Sequence, residues 1–317
     1  ITVPFCPESE LSGIGYKDFI PAVWYLREIP LTKEQLSGRV LIHFGAVDYE
    51  SHVFVNGKKA GVHRGGYTSF CYDITELCHQ GKNRLTVYAA DDNRQGKQPR
   101  GKQSERFDSH DCDYTRTTGI WQTVWLEFVP TSYVKSVKYY PNCAAGTLAV
   151  QAELCGAGEF SVEASFEGRF CGSACARGEN GMVTVTLALS EIHLWEAGEG
   201  NLYDLVLRFG EDRVKSYAGL REIRIDGMRV LLNGRPVFQR LVLDQGFYPD
   251  GIYTAPDEKT LVRDIELSLA AGFNGARLHQ KVFEPRFLYH CDRMGYLVWG
   301  EMANWGLDLS DPVSYTH

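Results

Sequence analysis

The last seventy-odd residues of this chain alternate between strand-type and helix-type periodicity, and that alternation restricts the fold more than any other feature. Phe238 to Asp244 reads as a strand, Thr254 to Ala271 as a helix, and Asn274 to His279 as a second strand. Pro285 to Met294 then reads as a second helix and Tyr296 to Glu301 as a third strand. Thr254-Ala-Pro-Asp257 has capping-box spacing with Thr254 as the N-cap; Leu261, Ile265 and Leu269 then share one helix face, and Gly272 stops the helix. Strands and helices in this order open a parallel barrel. A complete eight-stranded barrel takes about 250 residues, and fewer than half that number follow Arg224, so the expectation is that further barrel units lie beyond His317.

Ahead of this region the periodicity is two. Between Val23 and Pro130, short alternating strands are separated by turn signals, among them Asn56-Gly57, where both turn positions favour positive φ. Residues 1–131 are therefore predicted to form a jelly-roll β-sandwich. The polar stretch Asp91 to Ser109 breaks the rhythm, and loops of that length are commonly functional or disordered. Residues 132–223 alternate again, at Leu148, Val150, Ala152 and Leu154 and at Phe160, Val162, Ala164 and Phe166, which suits an immunoglobulin-like β-sandwich. Residues 224–317 then carry the first three strand–helix units of a (β/α)8 TIM barrel, making the whole a multidomain β plus α/β protein.

Composition excludes several classes of function. A net charge of −7 with dispersed Lys and Arg argues against a nucleic-acid partner. No run of eighteen apolar residues is present, so no membrane-spanning helix is expected. Nine cysteines, an odd number without metal-type clustering, predict free thiols and a reducing, cytoplasmic setting. Cys171 and Cys175 have no histidine or second cysteine pair at zinc spacing, and neither metal nor cofactor is expected. The start at Ile1, with no basic or signal-type segment, looks trimmed. A homo-oligomer is left open.

Together the motifs resemble glycoside hydrolase family 2, the β-galactosidase, β-glucuronidase and β-mannosidase group. The first region is similar through Phe44-Gly-Ala-Val-Asp48, Val55-Asn-Gly57, His63-Arg-Gly-Gly-Tyr67, Asp73-Ile-Thr75 and Thr118-Gly-Ile-Trp-Gln122. The middle region resembles the family through Leu194-Trp195 and Leu202-Tyr203, and the last through Leu232-Asn-Gly-Arg-Pro-Val237, Asp264-Ile265, Gly272-Phe-Asn274, Arg277, Cys291-Asp-Arg-Met-Gly295 and Glu301. The resemblance implies a retaining β-glycosidase acting on a carbohydrate, with two carboxyl groups about 5 Å apart as proton donor and nucleophile. The family places them after the fourth and near the seventh barrel strands. No catalytic residue is therefore expected in this chain, and alone it should hydrolyse nothing. Gln280 stands where the family usually has a histidine, with His279 one position earlier, and this departure argues against galactoside specificity. The glutamate and histidine that bind magnesium in some relatives have no counterpart in Met302 to Asp308.

Polar residues at the C-terminal ends of barrel strands face the substrate. On that geometry the candidate sugar-binding residues are Asp244 and Gln245 after the first strand, Arg277, His279 and Gln280 on the second, and Glu301, Asn304 and Trp305 after the third. Arg277 and Glu301 alternatively form a framework ion pair, and Trp299 is expected in a core. Asp292, late in the second helix, reads as a cap or surface charge. The resemblance adds Asp111 from the first region, against the plainer reading of a turn carboxylate, and the basic Arg100-Gly-Lys-Gln103 segment as a lining of the barrel entrance. The rival function is a carbohydrate-binding β-sandwich protein without chemistry, which accounts for the first two regions but not the third.

Overall fold

A computed structural model describes residues 1–95, 97–308 and 310. Near the N-terminus two antiparallel sheets face each other. One has the order Ala22–Leu31, Gly81–Ala90, Glu50–Val55, Lys58–Arg64; the other is Phe70–Asp73, Arg39–Phe44, Val124–Val129. Alternate residues of these strands, including Val40, Ile42, Phe44, Val53, Val55, Val87 and Ala89, close a dry core between the layers. The hairpin turns on Asn56 (φ +52°) and Gly57 (φ +79°), the left-handed pair that an Asn-Gly turn demands.

A second all-β unit follows, with sheet order Tyr133–Asn142, Thr147–Phe166, Tyr203–Phe209, Asp212–Ala218, and with Arg169–Ala188 paired to Thr147–Phe166. The register slips between Leu154 and Ala157. Either side of that bulge, Val150 and Val162 still point into one core with Leu187, Leu205 and Leu207.

The last described part is a parallel sheet in sequential order, Leu241–Asp244, Gly275–Leu278 and Leu297–Trp299, with helices α1 (Glu258–Ala270) and α2 (Pro285–Met294) covering one face. Ala276 and Leu278 pack there against Leu261, Ile265, Phe287 and Cys291. The opposite face carries the row Leu243–Arg277–Trp299 in register across the three strands. Trp299, expected in a core, is instead 54% exposed, because the two-residue period places it on the face without helices.

All three strands are shorter than the sequence pattern suggests, and α1 begins later. Asp257 is its N-cap, accepting from the Thr260 backbone N–H at 2.8 Å. The hydroxyl of Thr254 donates instead to the Trp121 carbonyl, 2.5 Å away. Pro256 disfavours helical geometry at Ala255, so the helix cannot start before it. The extent of α2 matches expectation, with Pro285 in its first turn and Gly295 (φ +63°) ending it.

Two seams join these parts. At one, the Trp195 indole donates to the Asp292 carbonyl (2.6 Å) and the Gly198 N–H to the Gly295 carbonyl (2.8 Å). Asp292 is no surface charge: burial raises its carboxyl above the ordinary range, and Tyr217 donates to it at 3.1 Å. At the other seam, Tyr67 and Trp121, from connections of the N-terminal unit, pack on Ile252, Tyr253 and Ala303, with the Tyr67 and Tyr253 hydroxyls 2.9 Å apart.

Candidate functional site

The second seam lies beside the C-terminal ends of the parallel strands, and Glu301 is the hub of the polar groups gathered there. Arg277, pointing away from the helices, donates through Nε to Glu301 Oε2 at 2.9 Å, with a second nitrogen at 2.8 Å. The Gln280 backbone N–H and its Nε2 both reach Glu301 Oε1 at 3.1 Å. Burial pulls the Glu301 carboxyl up, but these donors outweigh it and hold it below its usual value.

Gln280 sits at φ +56° and is almost wholly buried. Its Nε2 donates to Asn304 Oδ1 (2.7 Å), while its Oε1 accepts from the backbone N–H groups of Asn304 (3.0 Å) and Trp305 (2.9 Å). The side chain thereby fixes the path after the third strand and aims Trp305. His279 meets the edge of the Trp305 ring at 5.6 Å, and its Nδ1 is buried with no partner among the described residues. Burial holds His279 below the ordinary imidazole value, against the Glu301 charge 3.9 Å away.

Arg277, His279, Gln280, Glu301, Asn304 and Trp305 therefore form one connected cluster. Arg277 remains 51% exposed at its side chain, so its pairing with Glu301 leaves donors facing open space. Asp244 and Gln245 lie on the neighbouring strand end. Asp244 Oδ1 accepts from the Gly246 N–H at 2.8 Å, and burial raises its carboxyl despite the nearby Lys281 charge. Gln245 Oε1 is buried and without a partner among the described residues.

Sequence reasoning missed Lys281. Its ammonium donates to the Gly246 and Tyr253 carbonyls (2.5 and 2.7 Å) and lies over the rings of Tyr253 (4.5 Å), Phe283 (4.9 Å) and Trp121 (5.3 Å). Burial depresses it to about 7. It clamps the loop after the first parallel strand against the N-terminal sheets.

The long polar stretch completes the site as a wedge. Arg100 and Gly101 donate their backbone N–H groups to the Trp305 carbonyl at 2.9 and 3.3 Å. Gly101 (φ +59°) lies so close to the Gln280 carbonyl that a Cβ there would collide with it. Gln103 anchors the wedge in the sheets, donating to Asp48 at 2.7 Å and accepting from the Thr117 N–H at 2.7 Å. Lys102 is buried, with Nζ 4.0 Å from the centre of the Trp305 ring.

Asp111 occupies the tight turn between His110 and Asp113, at φ +47°, exposed and outside the cluster's hydrogen bonds. Its neighbour Asp113 is the better-placed carboxylate, paired to Arg100 at 3.1 Å and largely buried. Glu105, His110 and Asp113 come close enough together to suggest a cation site. Arg100, however, contacts both Glu105 (3.3 Å) and Asp113 (3.1 Å), so a guanidinium already supplies the positive charge there and the group does not suit a metal.

Comparison with known proteins agrees with this architecture. Residues 14–130 match the family model described as the sugar-binding domain of glycosyl hydrolases family 2. Over 88% of the chain, it is 27% identical to a putative β-glucuronidase of Formosa agariphila, of which it covers 34%. A β-galactosidase of Thermoanaerobacter pseudethanolicus is 25% identical over 91% of the chain, which covers 40% of that protein. Among solved structures, Bifidobacterium dentium β-glucuronidase complexed with coumarin-3-O-glucuronide superposes with a TM-score of 0.86 over 99% of this chain and 58% of that one, at 20% identity. Faecalibacterium prausnitzii β-glucuronidase gives 0.80 over 96% and 54%, at 25% identity. The chain thus spans well under half the length of these curated relatives and a little over half of these solved chains.

Proposed function

We propose that this chain is the substrate-flanking portion of a longer retaining β-glycosidase of glycosyl hydrolases family 2, a reading supported by the match of residues 14–130 to that family's sugar-binding domain. In this reading residues 1–131 are a jelly roll, 132–223 an immunoglobulin-like sandwich, and 224–317 the first strand–helix units of a TIM barrel. The carrying observation is the cluster at the parallel strand ends, where one carboxylate, two amide side chains and an arginine form a hydrogen-bonded network that holds the backbone of a partly exposed Trp305. An indole offers a flat apolar face to a pyranose ring, and the exposed Asn304 amide and Arg277 can exchange hydrogen bonds with its hydroxyls. Such a cluster holds and orients a sugar. The proton donor and the nucleophile come from residues outside these 317, consistent with the greater length of the relatives.

The test is a screen of aryl β-glycosides with the full-length protein, followed by nuclear magnetic resonance of the first-formed anomer. Retention of the β configuration is expected without added metal or redox cofactor. An inverted product would overturn the mechanism. Binding of sugars with no turnover of any glycoside would favour a carbohydrate-binding protein instead.

A further inference from the structure

A cavity of about 480 Å³ opens at the Trp195 seam, between the middle unit and α2. That volume lies within the range of small-molecule sites, about 300–1,000 Å³. Strand Asp212–Ala218 contributes Ser216 and Tyr217 to its lining, strand Tyr133–Asn142 contributes Tyr139, and α2 contributes Asp292 near its C-terminal end; Arg221 and Trp195 line it as well. A helix that crosses between parallel strands runs antiparallel to them. Asp292 comes just before the third parallel strand and Glu301 just after it, so the cavity and the Glu301 cluster lie at opposite ends of the sheet.

The groups that line the cavity have hydrogen-bonding capacity left over. Tyr217 donates to Asp292 Oδ2 at 3.1 Å, and Asp292 Oδ1 receives no hydrogen bond among the described residues. Tyr139 donates to Ser216 Oγ at 2.7 Å, which leaves the Ser216 hydroxyl proton for another acceptor. The exposed Arg221 guanidinium lies over the Trp195 ring, 4.9 Å from its centre, with N–H donors around its edge. Burial raises the Asp292 carboxyl while Arg221 draws it down. With one carboxyl and one guanidinium in the lining, an anion would face Asp292 and a cation would face Arg221, so the cavity suits a neutral occupant.

We propose that this cavity is a second binding site, one for a neutral pyranose unit, and that its occupant ties the middle unit to α2. A pyranose offers hydroxyls that both donate and accept, as Asp292, Ser216 and Arg221 together require, and apolar C–H faces for the rings of Tyr139 and Tyr217. Tyr139 and Ser216 come from one side of the seam and Asp292 from the other. An occupant that touches both sides binds only the docked arrangement and stabilises it by mass action. No bond is made or broken there, so the site can be filled whether or not the strand-end cluster turns over a glycoside.

The experiment is amide hydrogen exchange on the full-length protein with methyl β-D-glucoside, methyl β-D-galactoside or methyl α-D-mannoside, and with sorbitol as an open-chain control. At about ten times the dissociation constant of a binding glycoside, exchange that requires the seam to open should slow about ten-fold. The slowing should appear together in residues 214–221 and 289–295. Arg221→Met and Ser216→Ala should each weaken binding about ten-fold, with exchange in the N-terminal sheets unchanged as the sign that both variants are folded. Sorbitol should not reproduce the effect. Slowing that is equal with sorbitol, or even over the whole chain, is solute exclusion and overturns the proposal, as does seam protection that both variants retain. Absence of seam protection with all three glycosides overturns it too, including the case where only residues 277–281 and 301–305 are protected and the strand-end cluster alone binds. Seam protection in a protein that hydrolyses no glycoside sustains the second site and removes only the glycosidase reading.

Discussion

At the scale of single residues, Gln280 and Asp48 give the sharpest expectations. Replacing Gln280 by Leu leaves the Asn304 and Trp305 N–H groups and Asn304 Oδ1 without their partner in a part-buried setting. A loss of about 2–4 kcal/mol in urea unfolding should follow; a change below about 0.5 kcal/mol would mean that water replaces the amide. Asp48 sits among Glu8, Asp91 and Gln103, and burial pushes its carboxyl up to about 7. In the unfolded chain it ionises near pH 4. The folded form therefore holds an extra proton between those values, and its contribution to stability, complete below about pH 4, is lost as pH rises to about 7. Asp48→Asn should flatten this slope, as seen by comparing urea midpoints at about pH 5 and about pH 8; an unchanged slope would assign it to Glu8 and Asp91. The strand-end residues could be read from alternation alone, because a period of two fixes which of Arg277 and Leu278 leaves the helix-covered face. Lys281 could not, since its donors find carbonyls in a loop about thirty residues away and an aromatic cage completed by Trp121.

At the scale of elements, the loop between the first parallel strand and α1 depends on tertiary partners more than on its own turns. Lys281 and Thr254 bind it to Trp121 and to itself. Lys281→Met should cost about 2–4 kcal/mol by leaving two carbonyls unpaired. Its effect should be local: amide hydrogen exchange should rise between Gly246 and Tyr253, with little change in Glu258–Ala270. Equal acceleration in α1 would show that loop and helix open together. The same partners explain why the N-cap was misplaced by sequence reasoning. Thr254 and Asp257 both have capping chemistry, and the choice between them turned on a carbonyl from a strand end more than a hundred residues earlier. Hairpin turns were legible because Asn-Gly pairs carry their φ requirement with them, as at Asn233 (φ +51°) and Gly234 (φ +77°). α2 was legible for a similar reason, with proline and glycine at its two ends.

At the scale of the molecule, two seams hold the β-rich parts to the parallel sheet, and they differ in kind. The seam at Trp195 adds close backbone approach to its side-chain hydrogen bonds: Gly200 lies so near the Asp292 and Arg293 carbonyls that any Cβ would strike them. Gly200→Val should therefore separate the middle unit from α2, turning a single calorimetric transition into two; one cooperative transition of unchanged midpoint would show that the contact yields without cost. At the other seam a side chain meets a ring, with Lys102 delivered by the loop after Gly81–Ala90 and Trp305 by the segment after Leu297–Trp299. The two members of this contact are thus encoded in separate stretches of the gene, one on either side of the middle unit. Exchange of the first third between homologous genes would replace the residue set against the indole without touching the strands that hold it, so this seam can vary by recombination as readily as by point mutation.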